Sequence, residues 1–323
     1  MKAIAITAAV LTGTLIISSL YFYNLAIARG PKEFLSRSPD LQRGTSGENS
    51  VSLERTFSPT TWLDSQNPAR WEIQSDDGLK LVGLFIPAST PTNRTVICAH
   101  GYTSQSRHMA QFARFFHEKL GFNVLLPDAR GHGESEGDYI GFGWHERKDY
   151  LLWIQRIIEE VGEDSQIVLF GISMGGATVM MVSGEDLPPQ AKAIIEDCGY
   201  TSVDAQLSYQ LSRMYHLPSF PLLNTTSLVT KLKAGYSFSE ASALEQIKKN
   251  KLPILFIHGA EDWFVPVSMV YELYEACPSE KELYIVEGAG HGAAYGQNPE
   301  EYERRVADFL KKYLEETPKE GTA

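Results

Sequence analysis

The stretch Gln166-Ile167-Val168-Leu169-Phe170-Gly171-Ile172-Ser173-Met174-Gly175-Gly176 decides the fold. Its first five residues form a compact apolar run suited to a parallel strand buried on both faces. The next residues, Ala177-Thr178-Val179-Met180-Met181-Val182, are apolar and free of breakers, and read as the first turns of a buried helix. A strand that becomes a helix so quickly needs glycines around the turn, because a Cβ there would meet neighbouring backbone. The apex residue is held strained, with its side chain pushed out over the end of the sheet. That residue is Ser173, the candidate nucleophile, and the helix behind it supplies N-terminal amides and a positive dipole end. Gly-x-Ser-x-Gly alone is more often a flexible turn. Its place between a strand signal and a helix signal makes it a catalytic elbow.

Outward from the elbow, the chain alternates strand and helix signals. Residues 71–74 and 79–86, split by Asp76-Asp77-Gly78, read as an antiparallel hairpin. Strands follow at 95–99, 122–127, 166–170, 193–195, 252–258 and 283–286, with helices at 107–120, 145–161, 267–277 and 299–316. This alternation predicts a mainly parallel sheet covered by helices on both faces. The interval between Asp197 and Leu252 is far longer than one crossover requires. It contains Tyr200, Tyr209, Tyr215, Phe220 and Tyr236, and predicts a small helical cap over the strand ends, residues 198–250.

The remaining chemistry gathers in loops after strands. His100-Gly101-Tyr102 follows the first parallel strand, where one donor to an oxyanion is expected. The backbone N–H groups of Tyr102 and Met174 are the candidate pair, Gly101 allows close approach, and His100 braces the loop. Asp128-Ala129-Arg130-Gly131-His132-Gly133-Glu134-Ser135 lacks any phosphate-loop pattern and reads as a structural turn with internal polar bonds. His132 precedes the nucleophile, which counts against its being the base. Gly259-Ala260-Glu261-Asp262 follows a later strand. Parallel strands deliver their C-terminal loops to one edge, so Asp262, with Glu261 beside it, is the candidate acid. Alone, an acidic helix cap would be the commoner role. His291 follows the last strand, isolated in Gly288-Ala289-Gly290-His291-Gly292. The order Ser, Asp, His is the one this architecture uses.

With these motifs in place, residues 59–314 resemble an α/β-hydrolase. The chain is similar to the membrane-anchored bacterial members of serine-aminopeptidase or esterase type. The resemblance implies Ser173 as nucleophile, His291 as base, Asp262 as orienting acid, and a cap after the sixth core strand. Some relatives carry the acid after that sixth strand, which makes Asp197 the reserve acid. A carboxylesterase working through an acyl-enzyme on Ser173 is the first expectation, because esters need the least leaving-group assistance. The alternatives are a serine aminopeptidase or amidase, for which Glu240 or Asp204 could hold a substrate amine, and a non-catalytic membrane-tethered binding module. The substrate is a small acyl ester or short peptide, and neither a cofactor nor a metal is required.

Composition sets the outer limits. The 323 residues are 43% hydrophobic with a net charge of −11, which gives no support to nucleic-acid binding. Cys98, Cys198 and Cys277 are scattered and read as inert buried thiols. Residues 3–23 carry no charge, enough for a membrane span, with Tyr21 and Tyr23 at the far end. Ala26-Ile27-Ala28 resembles a signal cleavage site, which would leave a secreted protein. The organisation expected is an anchor or signal at 1–27, a linker at 28–58, the hydrolase domain at 59–316 and a tail at 317–323. An uncleaved single-pass anchor in the cell membrane, with the catalytic domain outside the cytoplasm, is the expected location.

Overall fold

A computed structural model describes residues 2–37 and 59–314. Most of the expected linker and the tail at 317–323 lie outside the described residues. An eight-stranded sheet forms the centre: β1 (Ala69–Gln74), β2 (Lys80–Ile86), β3 (Arg94–Ala99), β4 (Asn123–Pro127), β5 (Gln166–Ile172), β6 (Ala191–Asp197), β7 (Ile254–Gly259) and β8 (Lys281–Val286). Their spatial order is β1-β2-β4-β3-β5-β6-β7-β8. β1 and β2 are antiparallel, β2 pairs antiparallel with β4, and every later pairing is parallel. This is the α/β-hydrolase architecture, with the C-terminal ends of β3 to β8 on one edge.

Successive residues of β5 face opposite sides, as a pleated strand requires. Ile167 and Leu169 join one hydrophobic cluster, with Trp153, Ile154 and Met181. Val168 and Phe170 join the other, with Phe112, Phe116, Tyr302 and Phe309. Helices α2 (Glu146–Val161), α3 (Met174–Val182) and α7 (Pro299–Tyr313) supply much of this cover, with α6 (Ser268–Ala276) beside β7. Burying each such side chain stabilises the fold by about 1.5–3 kcal/mol. The helix expected over 107–120 is less regular than its pattern. It begins as a 3₁₀ turn at Ser106–Met109, is α-helical at Ala110–Arg114 and widens to a π turn at Phe115–Lys119. The wider turn brings His117 as well as Phe112, Phe115 and Phe116 to the buried side. There the His117 ring packs edge-on to Trp62.

Between β6 and β7 the cap comprises α4 (Val203–Tyr215), α5 (Leu222–Ala234) and a short helix Ala243–Ile247. Tyr200 and Tyr236 fasten its ends to the body by donating to the carbonyls of Phe142 and Ile140 at 2.9 and 2.7 Å. Phe220, by contrast, is 76% exposed.

α1 (Lys2–Phe22) runs on through a wide turn at Tyr23–Ile27. The most apolar 18 of these 26 residues have a mean hydropathy of 2.0, and Ile4, Ile6, Val10, Leu11 and Ile17 are exposed. A helix apolar all round and exposed in this way is a candidate membrane span, and a signal sequence has the same properties. Its C-terminal end lies against the cap. Ser19 Oγ and Thr225 Oγ1 are hydrogen-bonded at 2.6 Å, and Phe22 meets Tyr215 edge-on.

Candidate active site

The elbow forms because two glycines let three pieces of backbone touch. A Cβ on Gly171 would lie 2.2 Å from the Gly175 carbonyl, and one on Gly175 would lie 2.0 Å from the Ala99 carbonyl. Neither overlap can be relieved by moving a flexible side chain. Ser173 sits at φ 57, ψ −114, a left-handed conformation that costs a β-substituted residue on the order of 1–3 kcal/mol. Its N–H is tied to the Asp197 carbonyl at 2.8 Å.

Ser173 Oγ lies 2.8 Å from His291 Nε2, and His291 Nδ1 lies 2.7 Å from Asp262 Oδ2. The geometry fits one tautomer: Nδ1–H donates to the carboxylate and Nε2 accepts from the serine hydroxyl. Asp262 is oriented by its other oxygen, since Oδ1 accepts the backbone N–H groups of Phe264 and Val265 at 2.9 and 2.8 Å. Burial alone would raise the Asp262 carboxyl. The adjacent His291 and the hydrogen bonds from His258 and His291 outweigh it and hold the group well below the usual carboxylate range.

His258, at the end of β7, is a participant the sequence pattern left unremarked. Its Nε2 donates to the Val265 carbonyl at 2.9 Å and lies 3.4 Å from Asp262 Oδ2. The same carboxylate oxygen therefore faces two imidazoles. The clue was present in the sequence as His258-Gly259-Ala260-Glu261-Asp262, a histidine four residues before the acid.

Met174 is the first residue of α3, where a backbone N–H has no partner inside its own helix. Tyr102 lies in the loop after β3, next to Thr103 at φ 62. Its ring stacks on Phe142 with centroids 5.1 Å apart, and its hydroxyl donates to the Ala26 carbonyl at 2.7 Å. Gly101 is less constrained than expected. A Cβ there would meet Ser173 Cβ at 3.5 Å, an ordinary contact, so close approach does not require glycine at that position. His100 braces this loop: Nδ1 donates to the Gly101 carbonyl and Nε2 accepts from the Ala129 N–H.

Other acids and histidines singled out from the sequence lie apart from this chain of bonds. Asp197 is buried and accepts from the Tyr302 hydroxyl at 2.9 Å. His291 turns to Asp262 instead of to this reserve acid. Arg130 forks onto Asp149 and reaches Asp77. His132 packs against the His100 ring, where burial first and the neighbouring imidazole second push it down to about 3. Glu240 is exposed and paired with Lys231. Asp204 is exposed in the first turn of α4. Neither lines the site. Cys198, Asp262 and His291 place potential metal ligands within 4.8 Å of one another. Asp262 and His291 are already bonded to each other, however. Burial holds the Cys198 thiol far above its usual range, so it stays protonated and makes a poor ligand.

Ser173 opens into a cavity beneath the cap. Its lining includes Leu207, Leu211 and Met214 of α4, Leu223 of α5, and Phe22 and Leu25 from the end of α1. Among the described residues, none that lines it is charged. Gln206 and Gln210 pin the cap to the acid loop by donating to the Phe264 carbonyl at 2.9 and 2.6 Å.

The comparisons with known proteins agree with this architecture. The Bacillus subtilis (strain 168) protein YqkD is 35% identical over 239 residues, covering 74% of this chain and 77% of YqkD. The solved Pyrococcus furiosus esterase Pf2001 aligns with a TM-score of 0.65 at 27% identity, over 80% of this chain and 96% of the esterase. The Pyrococcus horikoshii acylaminoacyl peptidase shares the fold at a TM-score of 0.58 and 19% identity, over 79% of this chain and 43% of that one. The prolyl oligopeptidase family matches residues 105–317. That match covers more than half of the sequence, and the chain belongs to the prolyl oligopeptidase family of α/β-hydrolases.

Proposed function

We propose that this chain is a serine carboxylesterase held to a membrane by an uncleaved α1. The observation that carries the reading is the bonded series Ser173–His291–Asp262, at 2.8 and 2.7 Å, opening into a cavity whose described lining is uncharged. His291 Nε2 takes the hydroxyl proton as Ser173 Oγ bonds to the ester carbonyl carbon. The oxyanion receives the N–H groups of Tyr102 and Met174. The carbon–alkoxy bond then breaks, and the imidazolium returns its proton to the departing alkoxide. Water, deprotonated by His291, attacks the acyl-enzyme and releases the acid with Ser173 restored. Asp262 holds the tautomer and stabilises the imidazolium throughout.

Membership of the prolyl oligopeptidase family favours a second reading, a peptidase that binds a substrate amine. An amine needs a carboxylate within the cavity, and none lines it among the described residues. The ester reading is therefore preferred. Retention of α1 is supported by the packing of the residues at its end. Ile27 has no exposed surface, and its carbonyl accepts the Ile140 N–H at 2.8 Å, so cleavage after Ala28 would remove a core residue.

Fluorophosphonate labelling of wild type and Ser173→Ala tests the nucleophile. Label on wild type alone is expected, and equal labelling of both would refute the assignment. A matched panel of p-nitrophenyl esters and aminoacyl-anilides then decides between ester and peptide, with hydrolysis of the esters expected.

A further inference from the structure

One wall of the cavity over Ser173 comes from the segment that the esterase reading treats as a tether. Phe22, Leu25, Ala26 and Ile27 line it, with Phe34 and Leu35 just beyond. This wall is bonded in place. The Tyr102 hydroxyl, on the loop that carries a candidate oxyanion donor, donates to the Ala26 carbonyl at 2.7 Å. Ala28 pairs with Tyr139 as an antiparallel bridge. α4 and α5 contribute further leucines and Met214 to the lining.

The outside of this region is apolar as well. Leu228 and Leu232 on α5 are 60% and 79% exposed, and Phe220 just before it is 76% exposed. α5 packs along α1, whose own surface is apolar on every side. Large side chains left in water beside a membrane-length helix lose nothing if that face rests in the lipid boundary. The cavity thus lies behind a lipid-facing surface, and its wall is the end of the span.

We infer that the cavity is an acyl-chain site completed by the membrane helix, and that the substrate is a single-chain fatty acyl ester drawn from the bilayer. The inference rests on Ser173 being the esterase nucleophile. A hydrocarbon chain is the occupant because the described lining offers it no charge to desolvate, and the carbonyl end must reach Ser173. Hydrolysis consumes one water and yields the fatty acid and the alcohol. Each methylene placed in such a site raises kcat/KM roughly fourfold until the cavity is full.

The test uses the full-length chain in phosphatidylcholine vesicles with 4-methylumbelliferyl acetate, octanoate and palmitate. Wild type is expected to favour octanoate over acetate by at least about a hundredfold in kcat/KM. Leu25→Trp, which fills the cavity from the α1 side, should cut that ratio by at least about tenfold. Leu25→Ala, which enlarges it, should move the preference toward palmitate. Fluorophosphonate labelling of Ser173 in each variant reports that the site is folded. Palmitate should also turn over at least about tenfold faster when ester and enzyme share vesicles than when they occupy separate ones.

A labelled enzyme whose octanoate-to-acetate ratio ignores both Leu25 substitutions would overturn the acyl-site assignment and leave the esterase reading standing. Equal palmitate rates in shared and separate vesicles would overturn the bilayer as source. A wild type that neither labels nor hydrolyses acetate would take down the nucleophile reading, and the inference with it.

Discussion

Two loops leave the same edge of the sheet, one after β4 and one after β7, and each presents a buried aspartate with a histidine close by. After β4 these are Asp128 and His132, and after β7 they are Asp262 with His258 before it and His291 across from it. The Asp128 carboxylate is fully committed to backbone, because Oδ1 accepts the Ser106 N–H at 2.7 Å and Oδ2 the Glu134 N–H at 2.8 Å. Asp262 spends only Oδ1 on backbone and leaves Oδ2 to imidazole. The difference between a brace and a candidate catalytic acid is one uncommitted oxygen. Residue type at the strand end is the same in both.

The largest effect that could break this comparison is on turnover. Asp262→Asn should lower kcat by roughly 10⁴, since the amide favours the wrong imidazole tautomer, and steady-state ester hydrolysis measures it. Asp128→Asn should instead leave kcat of the folded enzyme near wild type and cost about 1–3 kcal/mol, read by urea unfolding, because a backbone N–H loses its acceptor. Reversed outcomes would show that the two carboxylates had been assigned the wrong way round.

Acid stability sharpens the contrast. The Asp262 carboxyl is depressed in the folded state, so the stability it contributes is complete above its unfolded value of about 4 and is lost as pH falls below that. Unfolding curves collected down through this range should therefore be shallower in Asp262→Asn than in wild type. An effect of opposite sign belongs to Glu196, at the same sheet edge, where burial pushes the carboxyl up to about 8. The proton it keeps favours the folded state below about pH 4, and that benefit fades as pH rises toward about 8. Glu196→Gln should flatten this decline between about pH 4 and about pH 8, and an unchanged slope would show that another group causes it.

The sheet was legible because its strands are short apolar runs with period-two or fully buried patterns, and local chemistry alone produces those. The elbow was legible for a related reason: Gly171 and Gly175 answer to backbone overlaps within a few residues of Ser173. Asp262 and His291 could be found because parallel topology collects strand ends at one edge, so order along the chain stood in for position in space. The role of His258 depends on how a tight loop folds Asp262 back toward it, and no periodicity records that. Least legible was the bond from Tyr102 to Ala26, which joins residues 76 positions apart through a main-chain carbonyl carrying no side-chain signature. The same holds for the α1 end as a cavity wall. An apolar span reads identically whether it only anchors or also packs.

Arg29 comes directly after that span. Its guanidinium donates to the carbonyls of Ser135, Gly133 and Gly137, and its N–H to that of Asp138 at 2.8 Å. Four clasps on one residue remove the swivel that a flexible stalk would allow. If α1 spans a bilayer as proposed, the hydrolase body would keep a fixed bearing toward the lipid plane, and its entrance would address a single leaflet. On that proposal, encounter with a lipid substrate would become a search in two dimensions at constant height.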